Sequence, residues 1–208
     1  MTLHNQVNIG SMDLQLLPER AALEWSGKAL YLADLHLGKD GLWRSNGQYA
    51  PEVTKIDLER LNTLLDNYQI DEVYFLGDLI HSRANNDFNY LANFLNNRDE
   101  KFYLIAGNHD RWAIDELSKY PLIITDTHTI NGVELVHDLD QRTTDLPAMV
   151  GHVHPSIKIP EVGKLPAFIF KDDVLTLPAF GSFNGSMRVK TNFEGKSWVV
   201  ADGEVVMV

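Results

Sequence analysis

The chain contains no cysteine in 208 residues. That absence excludes disulfides, thiolate metal sites and a cysteine nucleophile, so any metal must be held through nitrogen and oxygen. It also fits a reducing compartment. Basic residues are scarce: 18 Lys and Arg against 29 Asp and Glu leave a formal net charge of -11 and a pI near 5.1. This excludes the overall positive field that coats nucleic acid or an anionic membrane, but not a local basic cleft. No apolar run reaches the roughly 18 residues of a membrane-spanning helix, and Met1 to Gly10 lack a basic segment followed by an apolar one. The expectation is a soluble, cytoplasmic protein. Linkers, repeats and low-complexity stretches are missing too, and 44% hydrophobic residues suffice for a substantial core. Residues 1–208 therefore read as one globular domain.

Short alternating runs open the chain: Met12 to Leu17, Ala22 to Trp25 and Lys28 to Ala33, separated by turns at Pro18-Glu19-Arg20 and Ser26-Gly27. They predict an antiparallel beginning. Helical spacing of Val53, Ile56, Leu61, Leu64, Leu65 and Tyr68 predicts an amphipathic helix, and Phe88, Leu91, Phe94 and Leu95 give a second stripe. Between and after them, Glu72 to Leu76 and Phe102 to Ala106 read as buried strands, and Ala113 to Leu117 as a short helix. The second half is strand-rich: Leu122 to Thr125, a tight turn at Asn131-Gly132, Val133 to Val136, Ala148 to Val150, Ala167 to Phe170, Val174 to Leu177, Met187 to Thr191 and Trp198 to Val208. The fold class is α/β, with strands and helices mixed.

Five of these runs end in potential metal ligands: Asp34 and His36, Asp78, Asn108 with His109, His137, and His152 with His154. Period two along an extended chain puts Asp34 and His36 on one side. Each fragment alone is an ordinary turn or a core histidine. Together they are more, because α/β architectures gather strand ends into one crevice. Carboxylates, imidazoles and an amide without thiolate suit a pair of divalent ions such as Mn, Fe or Zn. Two ions about 3.5–4 Å apart clamp both oxygens of an in-line displacement and acidify a water between them. They need a bridging carboxylate, for which Asp78 is the natural choice. The leaving alkoxide needs a nearby acid.

The order Asp-x-His, Gly-Asp, Gly-Asn-His-Asp, His and Gly-His-x-His resembles the calcineurin-like metallophosphoesterase superfamily. The resemblance implies two mixed β-sheets packed face to face with flanking helices, a four-layer sandwich. It gives one metal Asp34, His36, Asp78 and His154, and the other Asp78, Asn108, His137 and His152. It makes His109 the general acid at the substrate phosphate and Asp110 the group that orients it. Gly77-Asp78-Leu79-Ile80-His81 ends in histidine where many members have Asp or Arg, which looks more like the nuclease branch. His81 is open between a residue behind the ligands and a satisfied core histidine. His4 and His128 match nothing and read as structural. These segments, with Ala33 to Lys39 and Leu177 to Gly181, are similar to the bacterial ligase-associated DNA-damage-response metallophosphoesterases. That likeness implies a manganese-dependent endonuclease or phosphodiesterase linked to a DNA helicase and an ATP-dependent DNA ligase.

Lys39, Arg44, Arg83 and Arg111 all follow ligand-bearing strand ends and are candidate substrate-binding residues, a basic rim on an acidic body. The polar loop Gly41 to Pro51 is a candidate lid. The leading expectation is a dinuclear-metal phosphodiesterase acting on single-stranded DNA or DNA ends in repair. A small-substrate phosphoesterase, for a cyclic nucleotide or other organic diester, is the second. A scaffold without chemistry is the third, and no ligand is broken in the way that would mark it.

Overall fold

The computed structural model describes residues 5–39, 47, 52–81, 85–182, 184–189 and 194–208. A seven-stranded sheet is laid down in chain order from β1 (Gln6–Ile9), β2 (Met12–Leu16), β3 (Ala22–Glu24), β4 (Ala29–Leu32), β5 (Glu72–Phe75), β6 (Lys101–Ile105) and β7 (Leu122–Thr125). The first four strands pair antiparallel through short turns. From β4 to β7 the pairing is parallel, and the crossovers after β4 and β5 carry helices α1 (Val53–Asn67) and α2 (Asn85–Asn96). After β6 the chain makes a 3-10 turn at Arg111–Ala113 and one turn of helix, α3 (Ile114–Leu117).

The second sheet is built from β8 (His128–Ile130), β9 (Val133–Val136), β10 (Ala148–Val150), β11 (Pro155–Ile159), β12 (Gly163–Lys171), β13 (Val174–Thr176), β14 (Met187–Val189), β15 (Lys196–Ala201) and β16 (Glu204–Met207). Its spatial order is β14-β11-β12-β13-β10-β9-β8, with β15 also paired to β12 and β16 to β15. Strands β9, β10 and β13 are parallel neighbours and the hairpins are antiparallel. Asn131-Gly132 and Asp202-Gly203 close two of those hairpins with positive φ at both residues (52° and 74°; 49° and 77°), as a primed two-residue turn requires. The second of these turns breaks the run Trp198 to Val208 into β15 and β16.

The core follows from period two. On β4, Leu30 and Leu32 face the helices while Ala29 and Tyr31 face the other sheet. Phe75 and Leu104 continue the first set on β5 and β6, and Tyr74 and Ile105 continue the second. Tyr31, Tyr74 and Tyr103 occupy matched register positions and stack at centroid separations of 5.1 and 4.6 Å. His128 lies beside this stack, a packing position. Trp198 is buried between the sheets. Trp198→Ala should lower unfolding free energy by about 3–5 kcal/mol, measured by urea denaturation; an unchanged midpoint would contradict this packing.

Helix α1 buries Thr54, Asp57, Leu58, Leu61 and Leu65, and Ile56 is 52% exposed rather than in the stripe. Its place on the inner face is taken by Asp57, because a carboxylate is needed there: it accepts from Ser182 N at 2.8 Å and Ser182 Oγ at 2.6 Å, and pairs with Arg60 at 3.2 Å. The arrangement anchors the Phe180-Gly181-Ser182 segment near the site. Among the described residues no helix is long and apolar enough to cross a membrane.

Candidate metal centre

Strands β4, β5 and β6 are adjacent and parallel, so the residues after their C-terminal ends, Asp34 and His36, Asp78, and Asn108 to Asp110, emerge side by side. Strands β9 and β10 deliver His137, His152 and His154 from the facing sheet. The segments after β4 and β5 are laced together by Asp34 N to Gly77 O (3.1 Å), His36 N to Asp78 O (2.9 Å) and Leu37 N to Leu79 O (2.9 Å).

Asp34 and His36 converge, but not on a pleat. Asp34, His36, Asp78, His152 and His154 all have left-handed φ, between 44° and 66°. A non-glycine residue held there costs about 1–3 kcal/mol. Five such residues on the three segments that follow β4, β5 and β10 mark where the fold spends stability on side-chain direction. Gly107 has no room for a side chain: a Cβ would run into the Asp78 carboxylate, which the turn must approach closely.

The side chains form two groups that meet at Asp78. In the first, His36 Nε2 lies 3.3 Å from His154 Nε2 and 3.6 Å from Asp78 Oδ2, and His154 Nε2 is 3.2 Å from Asp34 Oδ1. In the second, His137 Nε2 is 3.1 Å from His152 Nδ1, 3.2 Å from Asn108 Oδ1 and 3.5 Å from Asp78 Oδ1. Partners behind the rings decide which nitrogen faces inward. His137 Nδ1 donates to Leu76 O at 2.9 Å and His154 Nδ1 to Gly185 O at 2.9 Å, so each turns Nε2 inward. His152 is reversed: its Nε2 faces Asp138 Oδ2 at 3.3 Å and its Nδ1 points in. Once His137 gives up its proton, lone pairs and carboxylates face one another, and among the described residues Asp34 Oδ1, fully buried, accepts no well-formed hydrogen bond. Such a cluster of acceptors is satisfied by cations, and the donor set of imidazole, carboxylate and amide fits divalent ions of the Mn, Fe and Zn type.

The electrostatics agree. Burial opposes charge on His137, but the hydrogen bond and charge of Asp78, with Asp34 and the Leu76 carbonyl, outweigh it and raise its pKa to about 9. Burial would raise Asp78, yet His137, the His109 amide and His36 hold it down at about 2. Burial, only partly offset by Asp78, lowers His36 to about 3. Asp78 is thus a carboxylate and His36 a neutral ring throughout the physiological range.

His109 stands off both groups. Its amide donates to Asp78 Oδ1 at 2.9 Å, and its ring stacks on His81 at 4.8 Å and meets His36 edge-on at 5.2 Å. His81 is half-buried at the site, its Nδ1 3.1 Å from His36 Nδ1; it is not a core histidine. Asp110 corrects an expectation. Its carboxylate does not hold the His109 imidazole: it is fully buried and accepts from Ile80 N at 3.0 Å and Gly107 N at 2.9 Å, clamping the two ligand turns together. Burial, partly offset by those amides, raises its pKa to about 6.

The four rim cations separate. Lys39 reaches Asn184 Oδ1 at 3.5 Å beside the first group, while Arg111 turns to Asp126 at 3.5 Å on the surface, a pairing worth little. Arg44 and Arg83, with the loop 41–51 apart from Gly47, lie outside the described residues, as does His4. Sequence reasoning passed over Asn184, whose Nδ2 donates to Asp34 O at 2.7 Å, and Gln141, whose Oε1 accepts from both His137 N and Asp138 N. Only their position three residues or more beyond a motif, in polar loops, hinted at either.

Residues 27–173 match the model of the calcineurin-like phosphoesterase family. Among solved structures, the chain is similar to the Pseudomonas putida nuclease MPE, with 26% identity and a TM-score of 0.85 over 99% of this chain and 100% of that one. It also aligns with the E. coli phosphoesterase Yfce at 12% identity and a TM-score of 0.47, over 86% of this chain and 97% of that one. No curated protein matches it by sequence. With most of its length inside the family model and the ligand-bearing strand ends gathered as described, the chain belongs to the calcineurin-like phosphoesterase family and is a phosphoester hydrolase.

Proposed function

We propose that the protein is a two-metal phosphodiesterase that cuts nucleic acid, with manganese as its ion. The observation that carries this reading is the pair of ligand groups sharing Asp78 beneath an imidazole, His109, that belongs to neither. Asp34, His36, Asp78 and His154 would hold one ion, and Asp78, Asn108, His137 and His152 the other. When bound, two divalent ions polarise the phosphoryl oxygens and lower the pKa of a water between them. The chain's own part is to supply the ligands in fixed tautomers and to place a proton donor. His109, with its backbone pinned by Asp78 and its ring stacked on His81, donates a proton to the departing alkoxide oxygen. Lys39 contributes positive charge at the rim.

Similarity to a nuclease along the full length supports a nucleic-acid substrate. In the cell we place the activity in DNA repair, beside a DNA helicase and an ATP-dependent DNA ligase. Manganese-loaded protein should hydrolyse bis-p-nitrophenyl phosphate and cleave single-stranded DNA. Turnover of the small diester with none of any nucleic acid would remove the nucleic-acid part and leave a small-substrate phosphodiesterase.

Metal uptake should depend on pH through His137. Its pKa rises from 6.5 to about 9 in the folded, metal-free chain, so its proton stabilises that form fully below about pH 6.5 and is lost as pH climbs through 9. An incoming ion must displace it. Affinity for the second ion should rise by up to about ten-fold per pH unit between those limits, with a proton released on binding near neutrality. Calorimetry in buffers of different ionisation enthalpy measures both; pH-independent uptake without proton release would contradict the assignment of His137.

A further inference from the structure

Next to the ligand His154 lies a small open cleft of about 40 Å³, walled by Arg20, Pro166, Asn184 and Ser186 among others. Arg20 comes from the turn between β2 and β3 and has φ of 70°, the left-handed region again. Among the described residues its hydrogen bonds both leave from Nη1, to Ala179 O at 3.2 Å and Gly181 O at 3.4 Å. Gly181 N in turn donates to Asp34 O, so the guanidinium is one short segment away from a metal ligand. Among the described residues no carboxylate lies within 4.0 Å of Arg20, whereas Arg60, Arg98, Arg111 and Arg142 each pair with an acid. Burial and the neighbouring Arg60, partly offset by the charge of Asp57, lower its pKa to about 10, which leaves it charged at neutral pH. A half-buried cation in a strained conformation, with no carboxylate in direct contact among the described residues, is costly.

The hairpin that supplies Pro166 to the cleft carries two lysines beyond it. In the hairpin β11–β12, Ile157, Ile159, Leu165 and Ala167 share one apolar face. Ser156, Lys158, Lys164 and Pro166 therefore share the other, which further along β12 carries Phe168 into the core between the sheets. Lys158 sits directly opposite Lys164, and Ser156 opposite Pro166. Pro166 lines the cleft, and the two lysines lie two residues further along the paired strands on the same face of the hairpin. Both are exposed and, among the described residues, neither has a carboxylate within 4.0 Å. Like charges directly opposite on paired strands destabilise a sheet. A polyanion lying across them removes that penalty.

We propose that this cleft and the Lys158–Lys164 face form a groove for the phosphodiester backbone of a single-stranded nucleic acid leaving the metal centre, with Arg20 on the phosphate nearest His154. The proposal rests on the nucleic-acid reading above and extends it to the path of the strand. Each phosphate contact on a single strand contributes about 0.7 to the slope of log affinity against log salt.

The test is salt-dependent binding of a phosphorothioate single-stranded oligonucleotide to manganese-loaded protein. Arg20→Gln keeps an amide donor for the Ala179 carbonyl but removes the charge. It should weaken binding by roughly ten-fold and flatten the slope by about 0.7, and Arg20→Lys should restore most of the slope. Lys158→Gln with Lys164→Gln, at exposed positions where folding is not in question, should flatten it by about 1.4. Manganese stoichiometry reports that the site is intact in each variant. Wild-type slopes in all variants would overturn the groove, as would equal losses in Arg20→Gln and Arg20→Lys with a wild-type slope for the lysine pair. Those results leave the nucleic-acid reading standing. If instead the unaltered protein hydrolyses bis-p-nitrophenyl phosphate but binds no single strand, duplex or RNA, the reading itself fails and the groove with it.

Discussion

Asp78→Ala should strip both metal positions at once and reduce phosphodiester hydrolysis by on the order of 10³-fold or more. Removing a group that only orients a ligand already costs about 10–100-fold, and Asp78 stands at the junction of the two ligand groups, 3.6 Å from His36 Nε2 and 3.5 Å from His137 Nε2. Its loss also frees His137 of the hydrogen bond and charge that hold a proton on it. Metal analysis should therefore show well under two ions per chain. Retention of two tightly held ions in the alanine variant would contradict a shared carboxylate. Asp78→Asn is a gentler probe: its oxygen can still accept from the His109 amide, so the turn survives while the bridging charge is gone.

His109→Ala should separate proton donation from metal binding. The ring lies outside the two groups that meet at Asp78, although with His36 and His81 it makes a third set of facing nitrogens, so under the two-metal account metal content should stay at the wild-type level. Cleavage of DNA, whose leaving alkoxide needs a proton, should fall by about 10²–10⁴-fold, the usual worth of a positioned general acid. Bis-p-nitrophenyl phosphate, whose leaving group departs as a stable anion, should lose much less. Equal losses on both substrates, or loss of metal, would assign His109 to the ligand set and leave the proton donor to another group. His81, stacked on His109 and touching His36, is the first to test in that event.

Much of this was legible in the sequence because strand ends are legible. The parallel run β4 to β6 places Asp34, Asp78 and Asn108 together by topology alone, and the spacing of their motifs needs no coordinates. What resisted was anything fixed by contacts distant in the chain. Asp34 and His36 looked like alternate residues of a strand, yet they hold left-handed φ because Gly77 and Asp78 carbonyls claim their amides. Asp110 looked like a partner for the imidazole beside it, but the low-dielectric interior sets a higher premium on the orphan amides of Ile80 and Gly107. Asn184 and Gln141 sit in polar loops that resemble any other, and acquire a role only when folding brings them behind Asp34 and His137. Strands β8 and β11 are short or begin at a proline directly after His154, so pattern alone passes over them. Ile56 shows the same limit for a helix: periodicity favoured it for the core, and a buried Asp57 bound to Ser182 displaced it.

The most direct measurement is anomalous scattering from a crystal of the manganese-loaded protein. Two peaks about 3.5–4 Å apart are expected on either side of Asp78, one among Asp34, His36 and His154 and the other among Asn108, His137 and His152. A single peak, or a second one seated among His36, His81 and His109, would contradict the two-metal account.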